Sequence, residues 1–370
     1  MINLDANATT ATTASVQEAV LAAMRGLLGN PSSIHAFGAA ARESLERARD
    51  EICLLIPGAF PEGIILTSGG TEANNAVLRG IEGATVVTTN VEHPSVLRPA
   101  ERSEAHRIVA VGADGRVDPS VLAGSIPEDG AVIVSVQWAN SETGIIQPIE
   151  DVVAAVRRRR PDAFIHVDAA QAIGRIPVSM DGIDALTFSG HKLHAPQGTG
   201  AIVLADPDDD RLSPLLLGGG QEGGWRSGTQ NVPGAVGLGV ALRERAERFA
   251  EATGVLRAMR DAFESAVVAA VPGARVNGGA SPRVPNTTNI LFPGIEGMAL
   301  VARLDQNGVA CSVGSACSSG RPEPSHVLRA MGLSEEEAYS SVRFSFSIMN
   351  TMKEVQMAVD IVSETARQMR

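Results

Sequence analysis

Five short stretches of this chain follow an apolar, β-branched run with polar or ionisable residues. They are SGGTEANN after GIILT, NVEHPS after TVVTT, WANSETG after AVIVSVQ, DAAQ after FIHV and SGHKLH after DALTF. Lys192 stands just past a buried run. Burial there disfavours the ammonium and leaves a nucleophilic amine, as a Schiff-base lysine requires; a surface lysine starting a loop is the plainer alternative. Asp168 ends FIHVD, where a carboxylate can keep a pyridinium nitrogen protonated or simply cap a turn. SGGTEANN opens a helix whose free N–H groups and dipole suit an anion, with the Thr71 hydroxyl added; Thr71 as an ordinary N-cap is the alternative. His93 can stack on an aromatic ring and move protons, or serve a structural role. His191 and His194 have an i, i+3 spacing, but no cysteine pair or carboxylate follows at ligand spacing, so no metal site is expected. A phosphate cradle, a Schiff-base lysine, a pyridinium carboxylate and a stacking histidine are together the physical requirements of a pyridoxal 5′-phosphate (PLP) site.

One further stretch, SVGSACSSG, places Cys317 among glycine, alanine and serine, with almost nothing apolar to pack against. A buried cysteine usually behaves as a small hydrophobe. This one reads as a thiol on a solvated, mobile tether, in which five residues reach at most ~17 Å. Cys311, after GVA, and Cys53, in an amphipathic helix, read as packing residues.

The elements that must position these groups follow from periodicity. Seven β-branched runs, at 63–67, 85–89, 107–111, 131–137, 164–168, 184–188 and 201–204, alternate with amphipathic segments such as EDVVAAVRRRR. That rhythm predicts an α/β domain over 14–250 with a mostly parallel sheet, whose ligands gather at the strands' carboxyl ends. Residues 206–233 are turn- and glycine-rich and predict an irregular excursion that includes Trp225 and Arg226. A continuous helical stretch follows from about 233. Residues 1–13 and 251–370 are expected to form a smaller α+β domain carrying the cysteine loop.

Composition excludes several classes. The net charge is −11, with 44% hydrophobic and 20% charged residues, which argues against a dedicated nucleic-acid or membrane-surface protein. The basic run Arg157–Arg160 reads as a solvated helix end. Three cysteines make a disulfide framework unexpected. The absence of a secretory leader and of any span-length apolar stretch fits a reducing cytoplasm.

The chain resembles the NifS/IscS-like cysteine desulfurases of the class V aminotransferase group nearly end to end. The motifs that carry the resemblance include LDANATT, GNPSSIHAFG, LTSGGTEANN, EHPSVL, WANSETGIIQPI, HVDAAQAIGRIPV, SGHKLHAPQGTGA, GGGQEGGWRSGTQNVPGAVGLG, GSACSSGRPEPSHVL and VRFS. The resemblance implies PLP fold type I, aspartate aminotransferase-like, with a seven-stranded sheet. It implies Lys192 as the Schiff-base lysine, Asp168 as partner of the pyridine nitrogen, and Gln171 and Asn140 as contacts of the ring hydroxyl. His93 would stack and shuttle protons; Gly70, Thr71, Ser189 and His191 would bind phosphate. Thr229 would come from a neighbouring subunit, making a homodimer. Arg343 would grip the carboxylate of L-cysteine, and Asn30 would lie near the substrate. Cys317 would take the sulfur as a persulfide, leaving alanine, and pass it to an acceptor protein such as an iron–sulfur scaffold or another sulfur relay. Ser141 stands where many relatives have asparagine, and Ile348 and Met349 stand at positions often polar. Competing readings are another PLP reaction, such as an aminotransferase or selenocysteine lyase, and a non-catalytic assembly subunit. Cys317 argues against the aminotransferase, and Lys192, Asp168, His93, Cys317 and Arg343 together argue against the subunit.

Overall fold

The computed structural model describes residues 1–314 and 323–370. A short strand, β1 (Ile2–Asn3), precedes two helices, α1 (Ala14–Gly26) and α2 (Ala36–Cys53). The chain then alternates through β2 (Ile64–Thr67), α3 (Gly70–Leu78), β3 (Thr85–Thr89), α4 (Pro94–Arg102), β4 (Ala105–Val109), α5 (Pro119–Gly124), β5 (Val132–Gln137), α6 (Ile149–Arg159), β6 (Phe164–Asp168), β7 (Ala185–Ser189) and β8 (Gly200–Leu204). β2 to β8 make a seven-stranded sheet in the order β2-β8-β7-β6-β5-β3-β4. β8 alone runs opposite to the other six strands. The carboxyl ends of β2, β3, β5, β6 and β7 therefore share one edge.

Strand alternation sorts the core into two layers. Ile64, Val87, Val134, Ile165, Leu186 and Val203 pack on one face with Ile52, Val152, Val156 and Leu238. Their neighbours Ile65, Val86, Ile133, Phe164, Ala185 and Ile202 pack on the other with Ala73, Val77 and Val96. Both faces are covered, which is why these strands read as nearly continuous apolar runs. The one displaced strand is β4, expected at 107–111. It is an edge strand paired only to β3, and its last pair is Thr89 with Val109. Beyond that point Asn90 Oδ1 accepts from Val111 N at 3.1 Å, so the chain leaves the sheet.

The region 206–233 is irregular, as its composition suggests, and is tied down by Trp225 Nε1 donating to Pro207 O (3.2 Å) and by Arg226 paired with Glu72 (2.8 Å). The helical stretch after it is not continuous. It divides into α7 (Val232–Glu247) and α8 (Phe249–Ala270) at Arg248, whose φ of −114° and ψ of 19° leave the helical range. There follow β9 (Arg275–Val276), β10 (Thr287–Leu291), α9 (Gly297–Gln306), β11 (Val309–Ala310), α10 (His326–Ala330), α11 (Glu335–Tyr339), β12 (Ser341–Ser345) and α12 (Met352–Gln368). β12, β10 and β9 form an antiparallel sheet, and β1 pairs with β11. Phe263 packs against Phe344 and Phe346 with ring centroids 4.8 and 5.5 Å apart, at the centre of a separate apolar cluster. Val327, Leu328, Met331 and Ala338 instead join the larger core beneath the sheet. The basic helix end is paired: Arg157 with Asp184, Arg159 with Glu128, Arg160 with Asp162. Among the described residues no helix is long and apolar enough to cross a membrane.

Candidate active site

A cleft of about 790 Å³ opens at the shared strand edge. It gathers Gly70, Thr71, His93, Asp168, Gln171, Ser189, His191, Lys192 and Arg343. These come from separate segments, and the parallel sheet brings them together because each follows the carboxyl end of a strand or lies on β12.

Lys192 lies in the turn after β7. Its Nζ donates to the carbonyl oxygens of Asn7 and Ala8, each at 2.6 Å. Burial pushes its pKa down to about 8, and the guanidinium groups of Arg175 and Arg343 push the same way; Asp5 and Asp168 oppose them. Asp168 is 7% exposed. Its Oδ1 accepts from Ala170 N at 2.9 Å, the turn role weighed from sequence, while Oδ2 accepts from Asn74 Nδ2 at 2.8 Å. The carboxylate is thus held in place with one oxygen committed to the turn.

The start of α3 resolves the Thr71 alternative. The N-cap is Gly69, at φ 146° and with no side-chain cap, and Thr71 lies inside the helix. The first-turn N–H groups therefore face the cleft without a capping side chain. The φ of 146° is a conformation that residues other than glycine rarely adopt, so the cap position is one glycine fills without strain. An uncapped helix start carries about half a unit of positive charge and suits a phosphate.

His93 caps α4. Its Nδ1 accepts from Ser95 N at 3.1 Å and lies 2.8 Å from Ser95 Oγ. With Nδ1 an acceptor, the neutral ring carries its proton on Nε2. Desolvation at the cleft wall lowers its pKa; nearby Asp168 opposes this and Lys192 adds to it. His191 Nδ1 lies 3.1 Å from Thr9 Oγ1, and burial pushes its pKa down to about 4. His194 turns instead to Ala11 O at 2.7 Å. Gln171 Nε2 donates to Asn7 O at 3.3 Å, and its Oε1 accepts from Arg175. Arg343 donates from Nη2 to Asp5 (2.6 Å) and from Nη1 to Ser141 O (3.2 Å); its buried Nε has no partner among the described residues. Ser141 thus serves Arg343 through its backbone, a role a serine fills as well as an asparagine.

Three expected residues stand elsewhere. Asn140 does not line the cleft. Its Oδ1 accepts from Glu142 N, Thr143 N and Thr143 Oγ1, and its Nδ2 donates to Val91 O, so it holds the WANSETG loop together. Thr229 lies at a neighbouring cavity with Gln230 and Asn231, and Asn30 lies in the exposed α1–α2 loop. Cys317 falls outside the described residues. Of the other cysteines, burial pushes the Cys53 thiol up to about 11 and the Cys311 thiol up to about 12, as packing residues would show. Ile348 adjoins the small cavity behind Lys192, and Met349 is exposed.

Sequence reasoning missed Asn7, Asn74, Glu92 and Glu142. Glu92 is fully buried, accepts from Thr89 Oγ1 (2.6 Å) and Gln137 N (2.8 Å), and has its pKa pushed up to about 8 by burial. All four fall within the motif stretches, which was the available signal.

The donor set fits PLP: an uncapped helix start, Ser189, a fixed carboxylate and a lysine whose ammonium burial disfavours all line one cleft. The fold and this site define a class of PLP enzyme. The family model described as "Aminotransferase class-V" matches residues 2–357. A cysteine desulfurase of Nostoc sp. is 40% identical over 381 residues, covering 100% of this chain and 94% of that protein. A solved NifS-like protein aligns with a TM-score of 0.89 at 34% identity, covering 98% of each chain. SspA in complex with cysteine aligns with a TM-score of 0.81 at 30% identity, covering 94% of this chain and 99% of that one. The chain belongs to the class-V aminotransferase family, among its NifS/IscS-like cysteine desulfurases. It is a PLP-dependent cysteine desulfurase with PLP fold type I.

Proposed function

We propose that this desulfurase takes sulfur from L-cysteine onto Cys317 and hands it on to an acceptor protein. Lys192 would hold PLP, Asp168 its ring nitrogen, and Gly70, Thr71, Ser189 and His191 its phosphate; Gln171 would face the ring's polar edge. Bound there, PLP supplies an electron sink that allows the carbon–sulfur bond to break. Arg343 grips the substrate carboxylate through a planar fork that Asp5 keeps oriented. His93, neutral and protonated on Nε2, stacks and exchanges that proton. The Cys317 thiolate attacks the substrate sulfur, the carbon–sulfur bond breaks toward carbon, and the carbon takes a proton. The products are alanine and one persulfide.

The observation that carries this reading is the convergence of Lys192 and Arg343 on one cleft whose wall includes Gly314, three residues before Cys317. A homodimer fits the same picture. Thr229 and Asn30 stand outside the cleft, and Leu28, Ile34, Phe37 and Leu217 are exposed at 75%, 98%, 60% and 83%, an apolar set that a second copy would cover.

Comparing two variants tests the proposal. Lys192→Ala is expected to lose both the yellow colour and alanine production. Cys317→Ala is expected to keep the colour and L-cysteine binding but form no persulfide. A Cys317→Ala protein that still accumulates protein persulfide at the unmutated rate overturns the assignment, and intact transamination by that variant would favour the aminotransferase reading.

A further inference from the structure

A second, much smaller cavity of about 20 Å³ lies behind Lys192, and two arginines, Arg175 and Arg245, line it. They are 4% and 7% exposed. Arg175 donates only to neutral groups: Gln171 O at 3.3 Å, Gln171 Oε1, and Lys192 O at 3.4 Å. Arg245 donates from Nε to Gly174 O. Its Nη1 is buried and has no hydrogen-bond partner among the described residues. Among the described residues no acidic side chain lines the cavity, and neither guanidinium is paired with a carboxylate. The acids whose charge reaches this region are committed elsewhere. Asp5 pairs with Arg343 at 2.6 Å, and Glu244 accepts from Thr13 Oγ1 at 3.0 Å and from Ser15 Oγ.

Buried charges without a counter-charge are costly. A guanidinium does not escape that cost by losing its proton at neutral pH. Burial and the charges of Arg245 and Arg343 all push the pKa of Arg175 down, to about 9, which still leaves it protonated there. A water molecule in the cavity would satisfy Arg245 Nη1 and leave both charges unbalanced. An anion does both. Size then selects among anions. One water-sized sphere needs ~10–15 Å³ on this measure, so the space admits a single-atom ion and excludes sulfate, phosphate or an organic carboxylate. Leu256 and Phe346 give the cavity apolar walls, and Ile348, 37% exposed, forms a side that reaches the surface and gives an ion a way in.

We propose that the cavity between Arg175 and Arg245 is a binding site for a small monovalent anion, a halide such as chloride, which accepts from Arg245 Nη1 and balances the two guanidinium charges. The site is distinct from the cleft and independent of whatever Lys192 holds.

The test uses the PLP-loaded full chain. Crystals of the unmutated protein soaked in bromide are expected to show an anomalous peak in this cavity, within hydrogen-bonding distance of Arg245 Nη1. In solution, chloride replaces glutamate, an anion too large for the cavity, at constant ionic strength. The melting temperature is expected to rise by about 2–4 °C and to follow the logarithm of chloride once the site fills. Arg245→Met removes the donor and the charge while keeping an apolar stem, and should abolish that rise. Should Arg245→Met not fold, Arg175→Met gives the same readout, and the bromide experiment needs no variant. Density in the cavity without anomalous signal marks a water and overturns the proposal. A melting temperature indifferent to halide overturns it too, even with a bromide peak, which then marks binding at crystal concentration only. So does a chloride effect that survives in Arg245→Met.

Discussion

Asn74, in α3, donates from Nδ2 to Asp168 Oδ2 at 2.8 Å, and this single bond joins the helix whose start is proposed to hold the phosphate to the Asp168 carboxylate in the cleft. The same amide also reaches Ser95 Oγ at 2.9 Å and accepts from Thr187 Oγ1 at 2.5 Å. One buried side chain thus fixes α3, α4, β6 and β7 relative to one another, and with them the spacing between phosphate cradle and ring site.

Asn74→Ala leaves Asp168 Oδ2 without this donor in a buried setting. A lost hydrogen bond to a charged group is worth about 1.5–3 kcal/mol, or roughly ten- to a hundredfold in affinity. PLP titration of the apoprotein, followed by absorbance, should show that loss. Asn74→Asp should be worse, because it sets a second negative charge against Asp168.

If Lys192 is the lysine that holds PLP, as proposed, it must be unprotonated to take it up. Burial and the neighbouring Arg175 and Arg343 disfavour its ammonium, so the free amine appears at lower pH than for an ordinary lysine near 10.4. The rate of PLP uptake by apoprotein is expected to rise with pH and flatten above about 8. A rate still climbing steeply at pH 10 would contradict the depressed value.

The three cysteines should separate by reactivity. With their thiols pushed up to about 11 and about 12, Cys53 and Cys311 are almost wholly protonated at neutral pH. Brief iodoacetamide treatment followed by peptide mass analysis should label Cys317 first. Inactivation should track that modification alone.

Gly200, at the start of β8, runs against the phosphate loop. A Cβ there would lie 2.7 Å from Gly69 Cα and 2.6 Å from Phe188 O, both of them backbone atoms. Gly200→Ala forces a backbone shift at the cradle, a kind of overpacking that costs about 1–3 kcal/mol. A lower melting temperature and weaker PLP retention should appear together.

Much of this site was legible because its main groups sit at strand ends. A β-branched run followed by an ionisable residue announces Lys192 and Asp168, and the parallel sheet then brings such ends to one edge. The fold class follows from the same alternation. What was not legible depends on how distant or neighbouring backbone folds around a group. Lys192 and Asn7 are 185 residues apart, and only the return of the N-terminal segment over the cleft makes them partners. Asn140 stood in the right motif, yet its loop turns back so tightly that its amide oxygen is consumed by the N–H groups of Glu142 and Thr143. The break at Arg248 was invisible because good helix-forming residues flank it on both sides.

The central claim is that sulfur leaves the substrate held by Arg343 in the cleft of Lys192 directly for Cys317. The most direct measurement is a single turnover of the PLP-loaded protein with sulfur-isotope-labelled L-cysteine, scoring alanine released and labelled sulfur on each cysteine peptide. The account predicts one alanine for each labelled sulfur, with the label on the Cys317 peptide. Alanine formed at the full rate with the label on Cys53 or Cys311, or released as free sulfide without passing through any thiol of the chain, would contradict it.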